Sequence, residues 1–275
     1  MDYKTLLVHL DDSAHCTVRR DFAISLALKY DAHLIGLYAV CKDLTRPMFI
    51  HGETFLLAVA ESQSNARENT AHDAFVAAAQ HAGCRFEWRA PTEPPTEAVT
   101  LHARHADLLI FGQYDPKDPV SYVAKHFIDD TLISCGRPAI VLPASGIPPR
   151  VGGNVVVAWD GSREAARALS DALPLLQGAD FVTVVEVPPR TGRADGSGID
   201  ISAYLDRQGI RASFTTVPKA LGQNAGAALL EHLAALHADL LVMGAFRHTR
   251  AHERILGGVT QTMLESMTTP VLMSH

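Results

Sequence analysis

The chain has 275 residues, 47% of them hydrophobic and 20% charged, with a formal net charge of −6. This composition is typical of a globular protein and suffices for one large domain or two of ordinary size. The negative charge argues against a general nucleic-acid-binding protein, whose contact surface would be basic. No apolar run approaches the roughly 20 residues that a membrane-spanning helix needs, so we expect neither nucleic acid nor membrane as a partner.

The N-terminal segment and the cysteines indicate the compartment. The first residues carry an early acid, Asp2, and are typical of a strand rather than of a signal peptide. The cysteines are scattered without a CxxC pair, at Cys16, Cys41, Cys84 and Cys135. Isolated thiols of this kind are typical of a reducing compartment. The sequence therefore predicts a cytoplasmic protein.

Apolar runs alternate with helical patterns along the first half of the chain. Runs that are apolar on both faces are typical of central parallel strands. The pattern predicts strands at 5–10, 33–40, 85–89, 107–111 and 138–142. It predicts helices at 17–30, 53–82, 96–104 and 127–134. A stretch rich in proline and glycine at 144–153 then indicates a domain boundary.

The same order of elements begins again after this boundary. Strands are predicted at 154–159, 180–187, 210–217, 239–243 and 270–273. Helices are predicted at 163–176, 199–207, 223–236 and 259–267. Strands that alternate with helices predict a mostly parallel sheet with helices on both faces.

A direct sequence repeat supports two copies of one unit. His-Ala-Asp-Leu-Leu stands at 105–109 and again at 237–241, and each copy leads through two apolar residues to a glycine, Gly112 or Gly244. We interpret the chain as two α/β domains, at 1–147 and 148–275.

A ligand site is expected at the end of the sheet, because open parallel sheets bind ligands beyond the carboxyl ends of their strands. Asp160 follows the first strand of the second copy, and Gly244 ends its fourth strand. The stretch 244–260, GAFRHTRAHERILGGVT, joins a strand end, a basic loop, a glycine pair and a helix start. Such a segment can cradle an anion, although it has neither the Walker spacing nor GxGxxG.

Each half of the chain resembles a universal stress protein domain of the UspA type, and the whole resembles a tandem universal stress protein. The resemblance is carried by VAWDGS at 157–162, by ADLLVMG at 238–244 and by the closing run from Gly257 to Leu272. It is specific in the second half and weaker in the first. It implies two doubly wound α/β domains, each a five-stranded parallel sheet of order 3-2-1-4-5 with helices on both faces.

Nucleotide-binding members of that family hold ATP with an aspartate after the first strand and a G-x2-G-x9-G-[ST] loop after the fourth. Arg247 replaces the second glycine of this pattern, where it can act as a charged donor, and Gly258 replaces the hydroxyl residue. The resemblance implies a site for ATP, with or without Mg²⁺, made by residues of the second half: Asp160, Gly161, Ser162, Val187, Gly244, Arg247, Gly257, Gly258 and Thr260.

The first half departs further from the family pattern. Only Gly112 survives at the corresponding loop, where Asp115, Lys125 and His126 occupy the other three positions. Because an aspartate in a phosphate cradle repels the ligand, we expect the first domain not to bind ATP in the family's manner.

Each site feature also has a simpler interpretation. The turn at 160–162 could hold adenosine or serve only to cap the next helix. Gly257 and Gly258 could admit phosphate or only separate loop from helix, and the loop arginines could surround a polyphosphate or form a solvated surface. His248 and His252 have the spacing of helical metal ligands but lack an acidic or cysteine partner, so we expect no metal site there.

Three functions stay open. The chain contains no GxSxG, no HExxH and no paired-carboxylate constellation, so nothing indicates a committed enzyme. The first function is that of a stress-response regulator that binds adenine nucleotide in its second domain. The second is that of an interaction scaffold that acts through partner proteins. A slow adenine-nucleotide hydrolase is the third function, since fold alone does not separate it from the others. The resemblance also implies an intramolecular pseudo-dimer of the two domains and allows a homodimer.

Overall fold

A computed structural model describes residues 2–41, 54–118, 123–186, 201–217, 224–246 and 258–275, with the backbone alone described at 54–61. Strands and helices alternate, and most strand pairs are parallel, which confirms the predicted α/β class. The chain divides into two compact units, Tyr3–Arg137, here the N-terminal unit, and one that contains Pro138–His275, here the C-terminal unit. The domain limits 1–147 and 148–275 stay predictions, because they follow from the repeat and the units follow from contacts.

The N-terminal unit contains four described strands, which are all parallel: β1 (Thr5–Leu10), β2 (His33–Tyr38), β3 (Arg85–Arg89) and β4 (Leu108–Gly112). Its strand order is β3-β2-β1-β4. The described helices of this unit are α1 (Cys16–Lys29), α2 (Thr54–Ala82), α3 (Pro95–Ala103) and α4 (Phe127–Cys135). Strands β2 and β4 lie on opposite sides of β1 within the sheet. The strand order therefore reverses between β1 and β4.

The C-terminal unit contains six described strands: β5 (Ala139–Leu142), β6 (Asn154–Trp159), β7 (Phe181–Glu186), β8 (Ala212–Thr216), β9 (Leu240–Gly244) and β10 (Val271–Ser274). They follow the order β5-β10-β9-β6-β7-β8. The described helices are α5 (Arg163–Asp171), α6 (Leu173–Gln177), α7 (Ile201–Arg207), α8 (Ala225–Ala235) and α9 (Val259–Ser266).

Strand β5 adds an antiparallel strand to the C-terminal unit, in which the other five described strands are parallel neighbours. It pairs antiparallel with β10, with Val141 opposite Val271, and its contacts place it in the C-terminal unit. All four of its residues are buried. A buried strand must satisfy its backbone hydrogen bonds, and β5 does so by covering the side of β10 that would otherwise be an unpaired edge.

Burial on both faces explains why the central strands were visible in the sequence. Leu6, Leu7 and Val8 of β1 are fully buried, and so are Leu240 and Leu241 of β9. Side chains of consecutive strand residues point to opposite faces, so an unbroken buried run needs helices on both sides of the sheet. No helix in the described ranges combines the length and the apolar character needed to cross a membrane.

Helix α2 packs on the outer part of the N-terminal sheet through one aromatic side chain. Phe75 is fully buried, and its ring lies near Phe86 and Trp88 of β3, at centroid distances of 5.6 and 5.8 Å. A Cβ on Gly36 of β2 would lie 2.6 Å from the Phe75 ring. The absence of a side chain at Gly36 therefore lets the ring lie directly on the strand backbone.

We expect Gly36→Ala to lower the free energy of unfolding by about 1–3 kcal/mol, because its methyl group would overlap the Phe75 ring. Urea denaturation of the variant measures the loss. The smaller side chain of Phe75→Leu makes room for the methyl group, so the double variant should lose less than the sum of the two single losses. Strictly additive losses would contradict this packing.

Candidate functional site

The structure brings Asp160 and Gly244 to the same edge of the C-terminal sheet. Strands β6 and β9 are parallel neighbours, with Val155 opposite Leu240 and Val157 opposite Val242. Asp160 directly follows β6, and Gly244 is the last residue of β9. Both residues therefore lie at carboxyl strand ends, at the point where the strand order reverses.

The turn after β6 holds its shape through its own side chains. Asp160 Oδ1 accepts a hydrogen bond of 3.0 Å from the Ser162 amide, and Gly161 has a φ of +73°. Ser162 Oγ accepts the amide of Ala165 at 3.1 Å and so caps helix α5, as the sequence predicted. The turn leaves the half-buried Asp160 at the strand end.

Gly244 has a packing role. A Cβ at this position would lie 2.6 Å from the Ala165 amide nitrogen and 2.6 Å from the Glu164 carbonyl carbon. These atoms belong to the first turn of α5, and main chain cannot swing aside as a long side chain can. The glycine thus allows the start of α5 to cross the end of β9 in direct contact.

The start of α9 is tied to the segment that follows β9. Thr260 is 3% exposed, and its hydroxyl accepts the Phe246 amide at 3.1 Å. Phe246 has a φ of +55°, a conformation that is uncommon for a residue with a side chain. Gly258 is the N-terminal cap residue of α9, and as a glycine it has no side chain to cap that helix start. The amides of the first turn of α9 therefore lie close in space to the end of β9.

Part of the predicted site lies outside the described residues. This applies to Val187, Arg247 and Gly257, and to the loop residues His248, Arg250, His252 and Arg254. Within the described ranges, no three His, Cys, Asp or Glu side chains group together in a way that could hold a metal ion. The ligand roles of the nine predicted residues stay predictions.

The N-terminal unit repeats the turn at the same place. Asp11 follows β1, and its Oδ1 accepts the Ser13 amide at 3.1 Å, as Asp160 accepts the Ser162 amide. Gly112 ends β4, the parallel neighbour of β1. The two copies thus build the same carboxyl edge with the same residue types.

A buried arginine lies at the carboxyl ends of β1 and β4 in the N-terminal unit. Arg19 of α1 and Asp11 form an ion pair of 2.6 Å, and each side chain is only 4% exposed. Arg19 Nε also donates to the His9 carbonyl at 2.6 Å. A Cβ on Gly112 would collide with the Arg19 guanidinium group. The guanidinium group therefore occupies the space directly beside the end of β4.

Arg19 was not predicted from the sequence, although a signal was present. It lies on the same side of α1 as Phe22, Ala23 and Leu26, which are all buried. A cation within the apolar stripe of an amphipathic helix requires a buried partner, because burying an unpaired charge is costly. Asp11 was available at the nearest strand end.

Burial and the ion pair set the protonation of this cluster. Burial lowers the pKa of His9 to about 4, although the Asp11 carboxylate opposes that shift. Burial alone would raise the pKa of Asp11, but the Arg19 guanidinium and the hydrogen bonds from Ser13 and Arg19 hold that pKa below its usual value. At neutral pH the cluster therefore contains a neutral imidazole beside an ionised pair.

Little room is left at this edge. The cavity lined by Asp11, Arg19, Gly112, Lys125 and Phe127, among other described residues, has a volume of about 20 Å³. That is enough for about one water molecule and not for a nucleotide.

Comparisons with known proteins agree with the repeat. The model of the universal stress protein family matches residues 153–275. A universal stress protein from Archaeoglobus fulgidus DSM 4304 is similar in structure, with a TM-score of 0.72 and 14% identity over 98% of this chain and 95% of that chain. A functionally unknown protein from Pseudomonas aeruginosa PAO1 has a TM-score of 0.58 and 13% identity over 99% and 92% of the two chains. No curated protein sequence matches this chain.

We expect Gly244→Ala to lower the free energy of unfolding of the C-terminal unit by about 1–3 kcal/mol, because the added methyl group meets main-chain atoms. Gly161→Asn is the matched control. No atom lies within 4 Å of a Cβ placed there, and asparagine tolerates a φ of +73°. Urea denaturation should show a change within about 0.5 kcal/mol for this control. Equal losses in the two variants would contradict the close approach of α5.

The N-terminal unit should lose stability as the pH falls from 6.5 to about 4, because His9 stays neutral in the folded unit, whereas in the unfolded chain it has the ordinary histidine pKa of 6.5. The contribution is complete above pH 6.5, and its loss amounts to about 3 kcal/mol by pH 4. Hydrogen exchange of the β1 and β2 amides measures it. His9→Gln keeps a donor for the Ala39 carbonyl but cannot titrate, so its pH dependence should be smaller by that amount. An unchanged dependence would refute the role of His9.

Proposed function

Since residues 153–275 form a universal stress protein domain and the chain has the fold of a universal stress protein over nearly its whole length, we propose that this protein is a regulator that binds an adenine nucleotide, ATP in the first instance, in its C-terminal unit. The nucleotide lies at the carboxyl ends of β6 and β9. Its presence or absence, rather than a chemical step, is the signal.

The observation that carries this proposal is the meeting of three chain segments at one edge of the sheet. The Asp160 turn follows β6, Gly244 ends the neighbouring strand β9, and Thr260 ties the start of α9 beside them. A carboxylate and a helix start at the point of strand reversal are the two elements that hold the two ends of a nucleotide in open α/β sheets.

Asp160 fits the nucleoside end. It is half-buried at the strand end, and its turn is fixed by the bond from the Ser162 amide to Oδ1. A carboxylate in that position accepts hydrogen bonds from ribose hydroxyl groups. Because Oδ1 already accepts an amide, the side chain is oriented before a ligand arrives.

The start of α9 fits the phosphate end. Gly258, the N-terminal cap residue, has no side chain that could cap the first amides of this helix. Those amides and the helix dipole attract a phosphate group. Arg247, outside the described residues, would add a charged donor, and Mg²⁺ would enter with the phosphates. Bound nucleotide supplies additional stability to the folded C-terminal unit, which a partner can sense.

Isothermal titration of the full chain with ATP tests the carboxylate. Asp160→Asn keeps an oxygen that accepts the Ser162 amide, so the turn should persist, but the charged acceptor is lost. A hydrogen bond to a charged group contributes about 1.5–3 kcal/mol, so we expect ATP affinity to fall about 10- to 150-fold. The matched ligand control is 2′,3′-dideoxy-ATP, which lacks both hydroxyl groups and should bind wild type and variant equally.

The two alternative functions give different results. An interaction scaffold predicts no heat of ATP binding, no thermal shift at millimolar ATP, and no nucleotide released when the purified protein is denatured. An adenine-nucleotide hydrolase predicts steady ATP turnover that is abolished in Asp160→Ala. Equal loss of ATP and dideoxy-ATP affinity in Asp160→Asn would show that the carboxylate does not contact the ribose.

A further inference from the structure

The carboxyl edges of the two units differ in one respect. Arg19 stands eight residues after Asp11, and the second copy has Ala168 eight residues after Asp160. Both side chains are buried. The N-terminal unit thus places a guanidinium group at its strand ends, whereas none of the buried residues of α5 is an arginine.

We propose that the strand-end crevice of the N-terminal unit is a guanidinium-binding site that the chain fills with its own Arg19. The arginine is a built-in ligand, so this unit is closed to external ligands. The proposal does not depend on nucleotide binding by the C-terminal unit.

The contacts of Arg19 are those of a bound guanidinium compound. Nη2 donates to Asp11 Oδ1 at 2.6 Å, and Nε donates to the His9 carbonyl at 2.6 Å. A planar guanidinium group with several fixed donors suits a carboxylate and a carbonyl that lie side by side. Both acceptors belong to the end of β1 or to the turn directly after it, where this type of sheet binds ligands.

The strand beside the guanidinium group is shaped to receive it. Any side chain at Gly112 would collide with the guanidinium group, whereas the same position in the second copy, Gly244, makes room for helix main chain. The two glycines end equivalent strands, but Gly112 makes room for a guanidinium group and Gly244 makes room for the main chain of a helix. Arg19 forms part of the wall of the cavity at this place, together with Asp11 and Gly112.

The segment after β4 holds the crevice closed. Asp118 accepts the Ala14 amide at 2.8 Å and so joins this segment to the turn between β1 and α1. Asp115 accepts the Lys117 amide at 2.8 Å within the same segment. Asp115 thereby occupies an amide of the loop in which the family pattern would offer amides to phosphate, and Asp118 occupies an amide of the turn after β1.

Chemical rescue tests the proposal. Arg19→Ala removes the built-in ligand and leaves Asp11 buried without its cation, so the Tm of the N-terminal unit should fall. Ethylguanidinium replaces the lost atoms, and at millimolar concentration it should raise the Tm of this variant by several degrees. Wild type should show no rise, and ethylammonium, which has the charge but not the planar group, should have little effect on Arg19→Ala.

Two further variants control the experiment. Arg20→Ala removes a neighbouring arginine whose partner, Asp21, is on the same helix, and it should not respond to ethylguanidinium. Asp11→Asn/Arg19→Ala has the same cavity without the carboxylate and should also not respond. If Arg19→Ala fails to fold alone, refolding in ethylguanidinium should recover it. A failure of that recovery, or an equal response in all variants, would overturn the proposal.

Discussion

The direct contact between the first turn of α5 and the end of β9 is the constraint on which the C-terminal site depends. It exists because Gly244 has no Cβ to separate helix from strand. The contact brings the Asp160 turn to the end of β9, and the bond between Thr260 and the Phe246 amide brings α9 to the same place. A side chain at Gly244 would separate α5 from the end of β9, and the Asp160 carboxylate and the start of α9 would then no longer be held at the same place.

The two units show how one carboxyl edge serves different purposes after duplication. Both keep an aspartate whose Oδ1 accepts the amide of a serine two residues later. In the N-terminal unit this aspartate is buried with Arg19, and the pair completes the protein interior. In the C-terminal unit Asp160 stays half-buried, which suits contact with a ligand.

Much of the fold could be predicted because central strands buried on both faces leave unbroken apolar runs, as in β1 and β9. The meeting of Asp160 and Gly244 followed from the strand order that the family resemblance implied. Arg19 was not predicted although it lies within the apolar stripe of α1, because a charge on a helix is usually solvated. The antiparallel pairing of β5 was also hidden, because a short apolar run carries no direction. The predicted helix 163–176 is divided into α5 and α6 near Pro174, which has no amide to continue the first helix.

The clamp between Phe246 and Thr260 has a consequence for the eleven residues that separate Phe246 from Gly258. Bringing the two ends of a chain segment together costs conformational entropy that grows slowly with its length. Here the hydrogen bond from the Phe246 amide to Thr260 offsets part of that cost, whereas the positive φ of Phe246 adds to it. Sequence changes between these two anchor points can therefore leave the anchor points where they are.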